Sequence, residues 1–530
     1  MSSSIRFPSI SRAPLFALAE TALVFVVFCL HGAWPVPDVN EAHYLAKAIH
    51  FWNPDWGAGD FFFDSEDAHH VFCRGFGWLS LWLSPVTLAW VGRLATWWLL
   101  AWAWRRLNWA VLGRPWWSIA SGAVMLFLVD HFAMAGEWIV GGVEAKGLAY
   151  VLVLLGLEAV VRSRWNRAWL CFGGASMIHV LVGGWAAVAA GLAWLLLGHN
   201  NRPTLRSMWP GLLGGFVLSL PGLLPAIQLS WGVDSQIVDR ANQIYVFLRL
   251  EHHLNPAEFE ARHVLRFAVL LFLWLAVRWK TPEGHPVWRL HDFVAGAVAI
   301  GMTGVVVCYA TAGRLDWAAA LLRFYWFRLA DVALPIGVAL GVPVLIEQAR
   351  ITRPRVARSA AAGLILLAGW QVGSSLAEQA LGREIRSTHG PEAVRFEDWR
   401  EACTWIATSG HILQEARFLT PWRCRTFKWY TGRAEVVNWK DIPQDPRSIV
   451  EWRRRREIVH GTGSEDPLRR WFDSLAAQGE DRLLELGRRY GANYVLTVSE
   501  PRLDLPVEYE NDSFVVYRLS DEPVGHPNGE

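Results

Sequence analysis

The chain has 530 residues, 53% of them hydrophobic, with 33 tryptophans and a formal net charge of +2. That balance offers no basic footprint for a nucleic acid, and apolar runs of about twenty residues exclude an ordinary soluble enzyme. The chain reads as a membrane protein.

In chain order, eleven apolar segments are predicted to span a bilayer: near 14–33, 84–104, 116–134, 143–161, 166–179, 180–198, 209–228, 264–279, 292–312, 318–346 and 358–377. The fifth and sixth nearly abut, which leaves ten or twelve spans open. The first is too long for a cleaved signal peptide and lacks a small-residue cleavage site, so it reads as a retained anchor. Arg6 and Arg12 precede it. Arg105, Arg106 and Arg114 follow the second span, and Arg162, Arg164 and Arg167 the fourth. Arg202 and Arg206 follow the sixth, Arg278, Lys280 and Arg289 the eighth, and Arg350, Arg353, Arg355 and Arg358 the tenth. Every second connection is therefore basic, which predicts a cytoplasmic N-terminus. The alternate connections, notably 35–75 and 229–263, face outward, and so does everything after Ala377.

The tail is rich in charge and alternates helix-like with strand-like segments, as in "LLELGRRYGANYVLTVS" followed by "SFVVYRL". The expected architecture is an all-α membrane domain over 1–377 and an exported α/β or α+β domain over 378–530. Cys29, Cys171 and Cys308 fall in apolar spans, where cysteine is a small hydrophobe. Cys73 closes the first outer loop. Cys403 and Cys424 share the exported tail, where an oxidising compartment leaves a bridge open.

The first outer loop gathers chemistry. From Asp38 to His70 it carries seven carboxylates and four histidines, with Lys47 as the sole fixed positive charge. Asp38 and Glu41 fit a capping box ahead of the helix-like "EAHYLAKAIHFW". Capping leaves Asp60, Asp64, Asp67, His69 and His70 unexplained, and the interleaved "FFF" and "PDW" mark a loop that is not simply solvated. Three further clusters face the same side. "AGEWIVGGVEAKGLAY" supplies Glu137, Glu144 and Lys146, with glycines that permit close backbone approach. "RLEHHLNP" supplies His252 and His253. "RLDWAAALLRFYWFRLAD" supplies Arg323, Arg328 and Asp331 at the outer half of the tenth span. Arginine and aspartate within a span line a cavity or pair with each other. Arg328 and Asp331, at i and i+3, are expected to pair, whereas Arg323 has no such partner and is the better anion ligand. Carboxylates, imidazoles and arginines at one face are the groups that deprotonate a hydroxyl and hold a departing phosphate. The loop acids Asp60 and Asp64 and the histidines are also of the type that hold a divalent metal, although no ligand spacing fixes one.

The acidic motif directly after the first span, the polytopic body and the exported α/β tail resemble the GT-C superfamily of polyprenyl-phosphate-dependent glycosyltransferases. "NEAHYLAKA" is similar to its "DE-x-x-Y-x-x-x-A" segment, with Glu41 and Tyr44 matching the second acid and the tyrosine. Asn40 stands where the first acid is common, and Asp38 lies two residues earlier. The segments "GEWIVGGVEAKGLAY", "HHLNP" and "FKWYTGRAEVVNWKDIPQD" look like an uncharacterised bacterial membrane-protein family of the same layout. The resemblance implies an inverting glycosyltransferase of the cytoplasmic membrane that takes a lipid-linked sugar donor and an envelope acceptor. Asp38 or Glu41 is then the base, and Arg323, with Lys146 or the His252–His253 pair, stabilises the leaving phosphate. Rival readings are a transporter or flippase for an anionic lipid or solute, which calls for an internal repeat and broken helices, and a non-enzymatic envelope scaffold.

Overall fold

A computed structural model describes residues 13–198, 201–383, 391–464 and 470–520. Arg6 and Arg12 lie outside the described residues. Up to Ala380 the chain is helical. The helices are α1 (Ala13–Gly32), α2 (Glu41–Trp52), α3 (His70–Gly77), α4 (Pro85–Val111), α5 (Trp117–Phe132), α6 (Ala145–Val161), α7 (Trp165–Ile178) and α8 (Val180–Leu196). There follow α9 (Leu205–Gln228), α10 (Ser235–Ile244), α11 (Glu251–Leu254), α12 (Ala261–Lys280), α13 (Val287–Ala310), α14 (Leu315–Leu322), α15 (Arg328–Thr352) and α16 (Pro354–Ala380).

Each expected span falls on a helix, with one correction. The segment 318–346 is divided between α14 and α15, because Tyr325 takes a φ of 53°, a left-handed conformation that no α-helix continues through. Among the described residues, five helices are long and apolar enough to cross a bilayer: Pro14–Gly32, α9, α13, α15 and α16. The helices α5 and α8 are apolar but shorter.

Small residues set how closely the bundle packs. A Cβ on Gly173 of α7 would stand 2.0 Å from the carbonyl oxygen of Gly215 in α9, so these two backbones touch only because both positions are glycine. At the basic end Glu158, Glu20 and Glu347 are each paired with arginine. Glu158 receives Arg106 at 3.0 Å and Arg162 at 2.8 Å, Glu20 receives Arg105 at 3.0 Å, and Glu347 receives Arg350 at 2.9 Å. The basic connections after α4, α6 and α15 thus meet at one end of the body.

The other end carries the C-terminal region. Here α17 (Pro391–Val394), α18 (Phe396–Thr408), α19 (Phe427–Thr431), α20 (Pro446–His460) and α21 (Glu480–Tyr490) surround one sheet. Its strands are β1 (Arg417–Leu419), β2 (Ala434–Glu435), β3 (Tyr494–Val498), β4 (Val507–Glu510) and β5 (Phe514–Arg518), in the order β2-β1-β3-β5-β4. The pairs β2–β1 and β1–β3 are parallel, and β3–β5 and β5–β4 are antiparallel. Both faces are covered at β3 and β5, whose sequences "YVLTV" and "FVVYR" are nearly continuous apolar runs, whereas the edge strand β4, "VEYE", is partly exposed. Along β5, Phe514 and Val516 pack with α18, while Val515 and Tyr517 pack with α20 and α21. Cys403 and Cys424 sit in the same apolar cluster as free, buried thiols, so the bridge left open by the sequence is not formed.

The outer loop is clamped onto this domain by a buried polar lock. Lys428 of α19 reaches Asp441 at 2.7 Å, Asp60 at 3.1 Å and Glu435 at 3.6 Å. His43 of α2 lies 2.8 Å from Asp441, and Asn438 donates to Asp441 at 2.8 Å. Burial works against the charge on Lys428, but Asp441, Asp60 and Glu435 outweigh it and hold the ammonium above its usual range.

Candidate active site

The segment between α5 and α6 has no regular structure, and its buried amides need partners. Three carboxylates supply them. Asp331 of α15 accepts from the backbone of Met134 and Ala135, both at 2.8 Å. Asp38 accepts from Gly142 at 2.9 Å, and Glu41 accepts from Val143 at 2.9 Å. Gly142 has to be glycine, since a Cβ there would stand 2.9 Å from Asp38 Cβ and Glu41 Cγ. Glu41 is further gripped by the buried Arg93 of α4, Nε to Oε1 at 2.7 Å and Nη2 to Oε2 at 2.6 Å, and it accepts from its own Asp38 amide at 2.7 Å.

These contacts correct one expectation, the Arg328–Asp331 pair, and show what holds Asp38 and Glu41. Asp38 and Glu41 are fully buried and hold the chain in place, and neither lines the two cavities described below. Their oxygens accept from backbone amides and, for Glu41, from Arg93. Asp331 does not pair with Arg328, because the amides of the 134–137 segment claim it. Arg328 instead meets Glu137 at 2.9 Å and lies 3.1 Å from His179 Nε2.

The segment that those carboxylates fix presents its own side chains to a polar cavity of about 630 Å³. Glu137, Glu144 and Lys146 form one wall, with Lys146 at 3.2 Å from each of the two acids. The helix α2 contributes Asn40 from its N-cap, His43 and Tyr44, and the break between α14 and α15 contributes Tyr325 and Arg328. Asn40 donates to Glu144 at 3.2 Å and accepts from Lys440 at 2.6 Å. The rest of the lining comes from Arg249, Glu251, His252 and His253 and, on the C-terminal domain, from Arg425, Trp439, Lys440 and Gln444. Burial pushes Glu144 up from the usual carboxylate range, against the pull of Lys146. Burial also pushes His252 and His253 below the ordinary imidazole range. The pair is therefore neutral at pH 7 and offers hydrogen bonds rather than charge; His253 Nδ1 donates to the Ala135 carbonyl at 2.5 Å.

A second, largely apolar cavity of about 260 Å³ shares Tyr44, His179, Tyr245, Tyr325, Arg328 and Gln444 with the first. Its far wall is Leu223, Ala226 and Ile227 of α9, and Ile227 is 48% exposed on the face a bilayer would cover. Arg323 lines this apolar cavity. Its Nη1 donates to Asn242 at 2.6 Å, and no carboxylate lies within ion-pair distance among the described residues.

The remaining loop candidates are dispersed. Asp60 is spent in the lock, where it also accepts from the Phe62 amide at 3.0 Å and the Glu435 amide at 3.0 Å. Asp64 faces His50 at 3.5 Å at the surface. Asp67 meets His69 at 2.9 Å and Lys47 at 3.7 Å; burial opposes its charge, but Lys47 and His69 hold its carboxyl well below the usual range. His69 reaches Gln444 at 2.9 Å and lines the apolar cavity, and His70 opens α3. Among the described residues no group of three or more His, Cys, Asp or Glu is arranged to hold a metal ion.

Arg249 belongs to the same "RLEHHLNP" cluster as His252 and His253, whereas His179, Arg425 and Lys440 carry no motif that marks them in the sequence. His179 sits where two apolar segments nearly abut, and that break in an otherwise continuous run was its only signal. Lys440 lies in "NWKD", a charge-dense stretch of the tail with nothing local to tie it to the membrane domain.

A family model described as "Domain of unknown function (DUF6798)" matches residues 397–459, which include Arg425, Lys428, Glu435 and Lys440. No curated protein matches the sequence. Among solved structures the chain is similar to the crystal structure of ArnT from Cupriavidus metallidurans bound to undecaprenyl phosphate, with a TM-score of 0.46 and 14% identity. That alignment covers 98% of this chain and 100% of the other. At that identity and TM-score the likeness transfers no residue role.

Proposed function

We propose that the protein is an integral membrane glycosyltransferase that moves a sugar from a polyprenyl-phosphate donor to an envelope acceptor, with inversion. The observation that carries this reading is the shared wall between the apolar and the polar cavity. A lipid-linked sugar is amphipathic in the same sense. Its chain would enter past α9, its phosphate would rest near Arg323 and Arg328, and its sugar would lie in the polar cavity.

In the step itself, the acceptor hydroxyl oxygen forms a bond to the anomeric carbon as the bond from that carbon to the phosphate oxygen breaks. The hydroxyl proton passes to a carboxylate and the electron pair leaves with the lipid phosphate. We assign the base to Glu144 instead of Asp38 or Glu41. Burial makes Glu144 more basic, and it stands at the cavity surface. Arg323 and Arg328 receive the developing phosphate charge, in keeping with the planar fork that arginine offers to phosphate. Lys146 is assigned to holding Glu137 and Glu144 in place. No metal is assigned, since the outer-loop acids and histidines are divided among separate contacts.

Eleven crossings with a cytoplasmic N-terminus would put this cavity and the C-terminal domain on the outer face of the cytoplasmic membrane. Activated nucleotide sugars are absent from that side, and a lipid phosphate is the available carrier. The break between α14 and α15 is a feature that a transporter would also use. Purified protein incubated with a panel of polyprenyl-phosphate sugars separates the two readings. Release of lipid phosphate coupled to glycosylated product supports transfer, whereas movement of a lipid across vesicles with no turnover supports transport.

A further inference from the structure

The cations of the polar cavity fall into two groups. Lys146 and Arg328 are neutralised by Glu137 and Glu144. Arg249, Arg425 and Lys440 have no carboxylate within ion-pair distance among the described residues. Arg249 is 8% exposed, and its guanidinium donates Nε to the Trp439 carbonyl at 3.0 Å and Nη2 to the Lys440 carbonyl at 3.2 Å. Lys440 gives its ammonium to the neutral amide of Asn40 at 2.6 Å. The Nε of Arg425 is buried without a hydrogen-bond partner. Three cations are therefore gathered at one wall without an ion-pair contact among the described residues, and the carboxylates that act on them, Glu144, Asp441 and Glu392, do so only from beyond that distance.

This gathering has a cost. Desolvation, then Arg249 and Arg425, pulls Lys440 down to about 7. Desolvation, then Arg249, pulls Arg425 down to about 10. Buried like charges repel in proportion to the low local dielectric, and a bound anion removes the repulsion while gaining charge-assisted hydrogen bonds. Two forked guanidiniums and one ammonium supply donors for several oxygens of one group, which matches phosphate better than carboxylate.

We propose that Arg249, Arg425 and Lys440 form a second anion site, separate from that of the donor, which takes a phosphate group carried by the acceptor. The proposal rests on reading the cavity as a glycosyl-transfer site. It adds that the acceptor is a phosphorylated molecule and that the C-terminal domain selects it. The donor phosphate would lie across the cavity at Arg323 and Arg328, so both substrates would be held by their phosphates with the reacting carbon between them.

The test uses full-length protein in lipid nanodiscs and inorganic pyrophosphate as the probe, titrated calorimetrically with and without saturating undecaprenyl phosphate. One equivalent of pyrophosphate should bind in both conditions. Lys440→Gln and Arg425→Gln should each weaken it about tenfold, by loss of one charged hydrogen bond, with undecaprenyl phosphate affinity unchanged. Asn40→Asp serves where a deletion disturbs folding. It leaves the three cations in place but sets a carboxylate against Lys440, and it should weaken pyrophosphate by a similar factor. Displacement of pyrophosphate by undecaprenyl phosphate would assign the three cations to the donor and overturn the second site, as would unchanged pyrophosphate affinity in folded Lys440→Gln and Arg425→Gln proteins. Binding of pyrophosphate without any binding of undecaprenyl phosphate would leave the anion site standing and remove the donor assignment instead.

Discussion

Two buried polar networks join the outer loop to the C-terminal domain, and they differ in what is left over. In the lock, Lys428 is enclosed by Asp60, Glu435 and Asp441, and His43 and Asn438 take up the remaining capacity of Asp441. Lys428, Asp60, Glu435 and Asp441 line neither of the two joined cavities. A few residues away, Glu144, Lys146, Asn40 and Lys440 form an equally dense network around a cavity of about 630 Å³. Both contain acids and cations drawn from the same two stretches of chain. Charge density therefore does not tell a fastening from a reaction site; unfilled hydrogen-bonding capacity beside empty space does.

The comparison breaks most visibly at Lys428. Lys428→Met removes the only cation from three buried carboxylates, and should destabilise the folded protein by about 3–5 kcal/mol. Thermal unfolding in detergent measures this, and a shift within error of wild type would show that the lock does not fasten the loop. Glu41→Gln belongs to the same class, since it leaves Arg93 buried with half its partner. It should lower thermal stability together with any loss of activity.

At the cavity the expected effect is on rate. Glu144→Gln keeps the shape and the contact with Asn40 while removing the base, and should cost about a hundredfold in turnover with unfolding unchanged. If Glu144→Gln turned over normally while a folded Asp38→Asn protein did not, the base assignment would return to Asp38. Arg323→Lys keeps the charge but loses the planar fork, and should weaken polyprenyl-phosphate binding about tenfold through one lost charged hydrogen bond. Stability unchanged with donor affinity reduced is the expected pattern. The reverse pattern would make Arg323 a packing residue tied to Asn242.

The smallest effect concerns pH. Lys440 has a folded-state value lowered to about 7, below its ordinary range, first by desolvation and then by its arginine neighbours. Because its charge is present below that value and lost above it, pyrophosphate affinity should fall as the pH rises from about 6 to about 8. Lys440→Gln should flatten that profile, and calorimetry at several pH values reads it.

The helical layout was legible because apolar runs and basic connections are local signals. Every expected span coincides with a helix, and the one interruption, at Tyr325, depends on a backbone angle that composition does not encode. The site was legible only by face. Glu137, Glu144, Lys146, Arg323 and Arg328 were picked out as outer-face residues, and each lines one of the two joined cavities. Asp38 and Glu41 were chosen for the acidic motif they form. Their burial against Gly142 and Arg93 depends on residues 104 and 52 positions downstream, respectively. Asn40 departs from the acid of the resembled motif for a reason visible only in three dimensions: its amide serves Glu144 on one side and Lys440 on the other, 400 residues away. An aspartate there would repel the first and neutralise the second.

On the proposed function, the joined cavities hold a lipid-phosphate sugar and transfer its sugar. Purified protein given a matched polyprenyl-phosphate sugar and a phosphorylated acceptor tests it most directly, with free lipid phosphate and glycosylated product measured together. Stoichiometric release of both by wild-type protein, reduced about a hundredfold in Glu144→Gln, is the expected result. Binding of the lipid with no release of phosphate across the full panel of sugars and acceptors, in protein that remains folded, would contradict it.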